Sequence, residues 1–225
     1  MNISGIMYNN KIYLDFYAGS GILHNNNPQA QGRMRGNMED SKYIQVFQGR
    51  PMETEGRLPK EIAVYDLLDE LKIEYLRVDH EALFTIEGCH SVDGALETSL
   101  CKNIFLCNTQ KTKFYLLLMP GEKRFVTRDF CRQIESPRLS FAPQEYMEQY
   151  LDITPGSVSV MGLMNDTGKH VQLVIDQDVL KEEYISFHPC INTSSMRITM
   201  KDLLVKYLPA VEHDYWTVDL PWQEV

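Results

Sequence analysis

Short hydrophobic runs separated by polar turns characterise the chain from residue 59 onward. None of them approaches the ~20 apolar residues that a membrane-spanning helix needs, and their short lengths are typical of β-strands. The predicted strands cover residues 75–78, 104–107, 114–119, 138–141, 158–161, 171–175, 184–187, 196–198 and 218–220.

Helix signals lie between these strands at irregular intervals. Pro59 begins one helix, because proline suits the first helical turn, and two more helices are predicted over residues 127–134 and 143–151. Thr199 and Asp202 have the spacing of a capping box, which predicts a helix from Met200 to Leu208. Strands interrupted by such helices indicate an α+β fold, with a mixed, curved and partly barrel-like sheet flanked by helices.

The first part of the chain lacks this regular pattern. Residues 25–32 are rich in asparagine and glutamine and contain a proline and a glycine, without hydrophobic periodicity. We therefore interpret residues 1–37 as a flexible N-terminal extension. Residues 38–225 are predicted to form one compact domain with a hydrophobic core.

The N-terminal residues and the cysteines indicate the cellular compartment. The first residues lack the basic and apolar regions of a secretory signal, and the five cysteines are scattered without a Cys-x-x-Cys pair. Both features favour a reduced, cytoplasmic protein in which the cysteines are small core residues.

Charge is unevenly distributed along the chain. The net charge of -9 by itself argues against nucleic acid as a partner. Residues 102–138, however, contain eight basic and three acidic side chains, whereas residues 139–187 contain two basic and eight acidic ones. This segregation predicts a basic face for phosphate, unless the folded surface mixes the two segments.

Two side chains at strand ends are the leading candidates for chemistry. Lys102 stands where a turn enters an apolar strand, and we interpret it as a permanent cation for an anionic substrate or, alternatively, as an ordinary surface lysine. His188, followed by Pro189, is a potential base, ligand or structural residue. Asn103 and Asn192 add polar groups beside them that suit hydrogen bonding to a substrate.

Other residues are weaker candidates for a functional site. Gly156 follows a proline and suits either a simple turn or a close approach of backbone to a ligand. The remaining histidines lack polar neighbours of this kind in the sequence, and no nucleophile elbow or zinc-protease motif is present. A Cys101–His188 nucleophile pair remains a minor alternative. A metal site is another, although its candidate ligands match no zinc spacing; they are Cys101, Cys107, His188 and Cys190. We expect no cofactor.

A family resemblance emerges from the motifs taken in order. The chain resembles the YbaK/ProX aminoacyl-tRNA deacylases, in particular their free-standing prolyl-tRNA editing branch, from about residue 58 to residue 220. The motifs that carry the resemblance lie at residues 64–68, 79–85, 101–106, 114–121, 138–142, 154–159 and 187–189. The resemblance implies a mixed, strongly curved sheet flanked by helices.

The resemblance also implies roles for individual residues. Lys102 would engage the phosphate or terminal adenosine of the tRNA acceptor end, the backbone at Gly156 would position the ester and the attacking water, and His188 would line the pocket. No protein nucleophile is required, because the ribose hydroxyl of the substrate assists the water. Further substrate-binding candidates from the matching motifs are Thr85, Arg138, Ser157 and Phe187. One departure is Val160, which stands where the family's Gly-x-x-x-Pro loop has proline.

The function that the resemblance implies is trans-editing of Ala-tRNA(Pro). The alternatives are deacylation of Cys-tRNA(Pro) or another small aminoacyl-tRNA, and a non-catalytic module that holds tRNA ends. The implied partners are aminoacylated tRNA-Pro and a prolyl-tRNA synthetase, without a membrane.

Overall fold

The structure, a computed structural model, describes residues 44–82, 86–99 and 101–223, with only the backbone given for residues 86–89. The interpretation of residues 1–37 as an extension lies outside these ranges. Within them, no helix has the length and apolar character needed to cross a membrane.

Nine strands form two open sheets in the described part of the chain. The first sheet has the order β1-β2-β8-β7 and is antiparallel throughout. The second has the order β5-β3-β4-β6-β9 and is mixed, because β4, β6 and β9 run parallel while β3 is antiparallel to both β4 and β5. The strands are β1 (Val46–Gln48), β2 (Leu76–Asp79), β3 (Cys101–Asn108), β4 (Phe114–Pro120), β5 (Leu139–Phe141), β6 (Val171–Asp176), β7 (Tyr184–Phe187), β8 (Ser194–Thr199) and β9 (Tyr215–Val218).

Helices cover both faces of this framework. They are α1 (Pro59–Glu70), α2 (Ile86–Ala95), α3 (Thr127–Gln133), α4 (Gln144–Leu151), α5 (Met200–Asp202) and α6 (Leu208–Ala210), with 3-10 turns at Val160–Asn165 and Val179–Lys181 and a π-helical segment at Leu203–Tyr207. The α+β class and the mixed sheet flanked by helices are therefore confirmed.

Strand β3 separates two hydrophobic clusters because its side chains alternate between faces. Phe105 and Cys107 belong to the larger cluster, which also includes residues of the antiparallel sheet and of α1. Ile104 and Leu106 belong to a second cluster on the opposite face, with Phe130 of α3. By the same alternation, Lys102 shares the face of Ile104 and Asn103 shares the face of Phe105.

The C-terminal helical region confirms its predicted start. The Thr199 hydroxyl accepts a hydrogen bond from the backbone N–H of Asp202 at 3.0 Å, as expected of a cap. The predicted continuous helix is nevertheless interrupted by the π-helical segment. Pro209 explains the interruption, since its ring clashes with the carbonyl four residues earlier in a regular α-helix.

Two predicted strands are wrong. Residues 158–161 were expected to be extended, but Val160 begins a 3-10 turn, and the Ser159 hydroxyl caps it by accepting the Met161 N–H. The last strand spans Tyr215–Val218 rather than residues 218–220, because pairing with β6 decides its position. Strand β1 and helix α2 lack a clear hydrophobic period and were not anticipated.

Candidate active site

One edge of the mixed sheet gathers several chain segments. Because β4, β6 and β9 are parallel and β3 is antiparallel to β4, the first residues of β3 lie beside the last residues of the other three strands. Lys102, the second residue of β3, is paired with Met119 of β4. The carboxyl ends of parallel strands are a common location for ligands, so this edge is a suitable position for a substrate site.

Lys102 is buried at this edge. Its side chain is 1% exposed, and Nζ donates a hydrogen bond to the backbone carbonyl of Lys123 at 2.5 Å. Burial lowers the pKa of Lys102 to about 7, although the nearby Glu122 carboxylate opposes this shift. The interpretation of Lys102 as a permanent cation is therefore wrong, and so is the surface-lysine alternative. At neutral pH this side chain is poised between its charged and neutral forms.

A second buried lysine, which the sequence pattern did not reveal, supports the first. Lys123 is fully buried, and its Nζ lies 2.9 Å from Asp176 Oδ1 and 2.8 Å from Asp178 Oδ2. Lys123, Lys181 and Trp222 together hold the pKa of the Asp178 carboxyl well below its usual range. The ion pairs fasten the loop after β4 to the end of β6, and this loop supplies the carbonyl that Lys102 contacts.

A cavity of about 380 Å³ opens at the same edge, between α2, β7 and the loop after β4. Cys101 and Asp93 both line it. Burial raises the pKa of the Cys101 thiol to about 12, so the thiolate is scarce and the Cys101–His188 nucleophile alternative is disfavoured. Asp93 accepts a hydrogen bond from Ser186 at 2.7 Å, and burial raises its pKa to about 6.

The loop that carries Gly156 begins with a tight turn. Gly156 has φ +94°, a conformation that favours glycine, and Ser157 N–H donates to the Thr154 carbonyl at 3.2 Å. The Ser157 hydroxyl donates to the same carbonyl at 2.8 Å. Gly156 is therefore a turn glycine in its local geometry, and the Ser157 hydroxyl is part of the same turn.

The end of this loop is held by two buried side chains. The Asn103 amide oxygen accepts the Val160 N–H at 3.1 Å. The Tyr207 hydroxyl, on the π-helical segment, donates to the carbonyls of Val160 at 3.1 Å and Met161 at 2.8 Å. Through Asn103, the loop of Gly156 is joined to β3 one residue away from Lys102.

His188 belongs to a cluster at the ends of β2, β7 and β8. Its Nδ1 donates to the Ser194 carbonyl at 2.8 Å and lies 3.4 Å from the Ser195 hydroxyl oxygen. That hydroxyl is 2.9 Å from Nε2 of His80, whose ring centroid is 6.1 Å from that of His188. Burial lowers the pKa of His188 to about 4, so the ring is neutral at pH 7.

The other sequence candidates lie in different environments. Phe187 is a buried core residue, and Asn192 is half-buried after β7. Arg138 is exposed and lines a groove of about 500 Å³ together with Arg128. Thr85 lies outside the described residues.

The described contacts thus divide the candidates into three groups: Lys102 with the loop after β4, Gly156 and Asn103 with the 154–161 loop, and His188 with His80. The expectation that His80 lacks polar neighbours is wrong, because strand pairing brings the Ser195 hydroxyl within hydrogen-bonding distance of its ring. Lys123 and Tyr207 were not identified as candidates, and His80 was set aside, because the partners of all three are distant in sequence. Among the described residues, no group of three or more histidine, cysteine, aspartate and glutamate side chains could hold a metal ion.

Comparison with protein families settles the classification. The model of the aminoacyl-tRNA editing domain matches residues 80–205, more than half of the chain and a range that includes Lys102, Gly156 and His188. This chain belongs to the aminoacyl-tRNA editing domain family. The match ends before Tyr207, so the tyrosine of the loop contact lies beyond the family model.

Individual relatives agree with this membership. The prolyl-tRNA editing protein ProX of Acetoanaerobium sticklandii is 30% identical over 141 residues, which cover 63% of this chain and 86% of the relative. The prolyl-tRNA synthetase associated domain-containing protein 1 of Danio rerio is 27% identical over 150 residues, covering 66% and 80%.

A solved structure supports the fold of this editing-family member. It is the crystal structure of a proposed trans-editing enzyme for prolyl tRNA synthetase, and it superposes with a TM-score of 0.54 at 18% identity. The superposition covers 72% of this chain and 97% of that chain. At this level of identity the likeness establishes the α+β architecture.

Proposed function

We propose that this chain is a trans-editing hydrolase that removes alanine from mischarged Ala-tRNA(Pro). Its membership of the editing domain family makes it an aminoacyl-tRNA deacylase. The observation that carries the proposal is Lys102, a lysine buried within the matched region, one residue from the asparagine that holds the Gly156 loop. The names of the relatives, which refer to prolyl-tRNA, support tRNA-Pro as the carrier.

The choice of alanine rests on the limits of substrate selection. A synthetase pocket built for proline admits the smaller alanine, because a few methylene groups discriminate by only ~1–3 kcal/mol. A separate hydrolytic site that accepts only the smaller residue corrects the error. Editing in trans, outside the synthetase, is supported by the prolyl-tRNA editing protein ProX of Acetoanaerobium sticklandii, since the matched residues cover 86% of that relative.

Roles follow for the three groups of residues. Lys102 in its charged form binds the phosphate or terminal adenosine of the acceptor end, and the Gly156 backbone positions the ester and the attacking water. His188, neutral at pH 7, lines the pocket. The groove with Arg128 and Arg138 supports docking of the tRNA backbone, since guanidinium groups pair well with phosphate.

Val160 is compatible with this activity despite replacing the family's proline. Proline would fix φ but would lack an N–H, whereas the Val160 N–H donates to Asn103. A hydrogen bond therefore restrains the loop at the position where the family uses a ring.

The experiment is a deacylation panel with purified full-length chain and Ala-, Cys- and Pro-tRNA(Pro). We expect hydrolysis of Ala-tRNA(Pro) well above the spontaneous rate and little hydrolysis of Pro-tRNA(Pro). Lys102→Ala should abolish most of the activity, while Lys201→Ala, at an exposed lysine of α5, should leave it intact.

Two results would redirect the proposal. Faster hydrolysis of Cys-tRNA(Pro) than of Ala-tRNA(Pro) would assign the cysteine ester as the substrate. Tight binding of charged tRNA without turnover would favour a non-catalytic module that holds tRNA ends.

A further inference from the structure

We propose that Tyr207 is a specificity-determining residue that acts by clamping the backbone of the 154–161 loop. This inference rests on the proposed function, because it assumes that the Gly156 loop forms one wall of the aminoacyl site. Tyr207 itself is a positioning residue, since it acts through the loop.

The clamp holds Val160 from both sides of its backbone. Asn103 accepts the Val160 N–H at 3.1 Å, and the Tyr207 hydroxyl donates to the Val160 carbonyl at 3.1 Å and the Met161 carbonyl at 2.8 Å. Tyr207 is fully buried, so water does not compete for these contacts. A backbone pinned at both its donor and its acceptor has little freedom to move.

The start of the loop is restrained independently of the clamp. The turn at Gly156 is closed by Ser157, whose N–H and hydroxyl both donate to the Thr154 carbonyl. The short segment between Gly156 and Val160 is thus fixed at its first end by the turn and at its second end by the clamp. Release of the second end would allow the segment between this turn and Val160 to shift and the site to widen.

The 3-10 turn that follows the loop is closely packed. A side chain at Gly162 would place a Cβ atom 2.5 Å from Ile153 Cδ1 and 2.9 Å from Leu151 Cβ. The 3-10 turn is therefore packed closely against the end of α4, but through a residue without a side chain. The hydrogen bonds of Val160 and Met161 add a directional restraint to this packing.

The position of Tyr207 is itself unusual. It ends the π-helical segment Leu203–Tyr207, and π-helical turns are rare and frequent at functional sites. Burial raises the pKa of Tyr207 well above its ordinary value, so the hydroxyl stays protonated and remains a donor. The π-helical segment thus places the Tyr207 hydroxyl, a permanent donor, against the carbonyls of Val160 and Met161.

Tyr207→Phe tests the inference, because it removes only the hydroxyl and keeps the ring. The matched control is Tyr65→Phe, since Tyr65 is also fully buried but donates to Glu61 at 2.7 Å, on α1. Steady-state deacylation of Ala- and Pro-tRNA(Pro) gives the ratio of their kcat/KM values. We expect Tyr207→Phe to lower this ratio by about fivefold, the loss typical of one neutral hydrogen bond, and Tyr65→Phe to leave it unchanged.

A second measurement uses the protein without substrate. We expect amide hydrogen exchange to accelerate in the peptide 154–165 of Tyr207→Phe and to stay as in the wild type elsewhere, with Tyr65→Phe showing no change in that peptide.

The outcomes separate this inference from the proposed function. Unchanged exchange in Tyr207→Phe overturns the clamp even if the chain is an active deacylase, and an unchanged substrate ratio overturns the claim that Tyr207 determines specificity. A ratio that falls equally in Tyr65→Phe also overturns it. If the wild type hydrolyses neither ester, the proposed function fails, and with it the claim on specificity, while the exchange data still decide whether the clamp exists.

Discussion

Two buried lysines on adjacent parts of the sheet edge have opposite electrostatic environments. Lys123 is surrounded by the carboxylates of Asp176 and Asp178, so its charge is compensated. Lys102 instead donates to a backbone carbonyl, and burial lowers its pKa to about 7. Removing one partner of a buried ion pair is strongly destabilising, whereas a buried amine with a strongly lowered pKa is typical of functional sites. The difference supports our proposal that Lys102, and not Lys123, is the lysine that meets the substrate.

The largest expected effect concerns the structural lysine. Lys123→Met should lower the free energy of unfolding by about 3–5 kcal/mol, because it leaves the fully buried Asp176 carboxylate without its partner. Urea denaturation measures this loss. Lys123→Met/Asp176→Asn should recover at least half of it, and a single variant as stable as the wild type would contradict the assigned role.

Replacement of Lys102 should have the opposite effects, with a loss of activity and no loss of stability. Lys102→Met keeps an apolar stem but removes the amine, so we expect Ala-tRNA(Pro) deacylation to fall about a hundredfold, as is common when a charge-stabilising group is lost. Stability in urea should not fall, since a partly charged group no longer has to be buried. Loss of both activity and stability would make Lys102 a second structural lysine.

The pH dependence of deacylation tests whether the charged form of Lys102 is the active one. Above pH 7 the charged fraction of Lys102 decreases, and it approaches a tenfold decrease per pH unit. The deacylation rate, corrected for spontaneous hydrolysis at each pH, should therefore fall by about tenfold between pH 8 and pH 9. A corrected rate that rises over this interval would indicate that the neutral amine is the active form.

The same shift in pKa has a consequence for stability. The pKa of Lys102 is about 7 in the folded chain against a reference value of 10.5, so the folded state binds fewer protons between these limits. The free energy of unfolding should then rise with pH in this window, by about 1 kcal/mol per unit. Urea titrations of the wild type and Lys102→Met at pH 7, 8 and 9 isolate this contribution, which should be absent from the variant.

The smallest effect tests the outer contact of Lys123. The Trp222 indole N–H donates to Asp178 at 2.9 Å, and the Lys123 Nζ lies 5.2 Å from the ring centroid. Because Trp222 is 57% exposed, Trp222→Phe should cost only about 0.5 kcal/mol of unfolding free energy and leave deacylation unchanged. A large loss of activity would place Trp222 at the substrate.

The hydrophobic pattern predicted strands correctly where a strand contains an uninterrupted apolar run. The runs at residues 104–107 and 114–119 lie inside β3 and β4, and the capping residue Thr199 was identified correctly. It failed at residues 158–161, where alternating valines resemble a strand but a serine cap and a glycine with close neighbours favour a 3-10 turn. Local hydrogen bonds overrode the strand preference there.

The candidate site was only partly visible in the sequence. Lys102, Gly156 and His188 were identified as candidates from their positions and from the family resemblance, and their catalytic roles remain predictions. Their partners were not identified: Lys123 pairs with a carboxylate 53 positions away, and His80 bonds a serine 115 positions away. No periodicity or local motif contains that information.

The sequence by itself determined the α+β class, the main strands and the family, because these depend on local pattern and on motif order. Only the tertiary structure decided the protonation of Lys102 and the restraint of the Gly156 loop. The protonation depends on how much water reaches Nζ and on which charges surround it, and the restraint depends on Tyr207, 47 positions from Val160. Both are set when distant segments are packed together, which is why the permanent strand-end cation inferred from the sequence is a buried lysine with a lowered pKa in the fold.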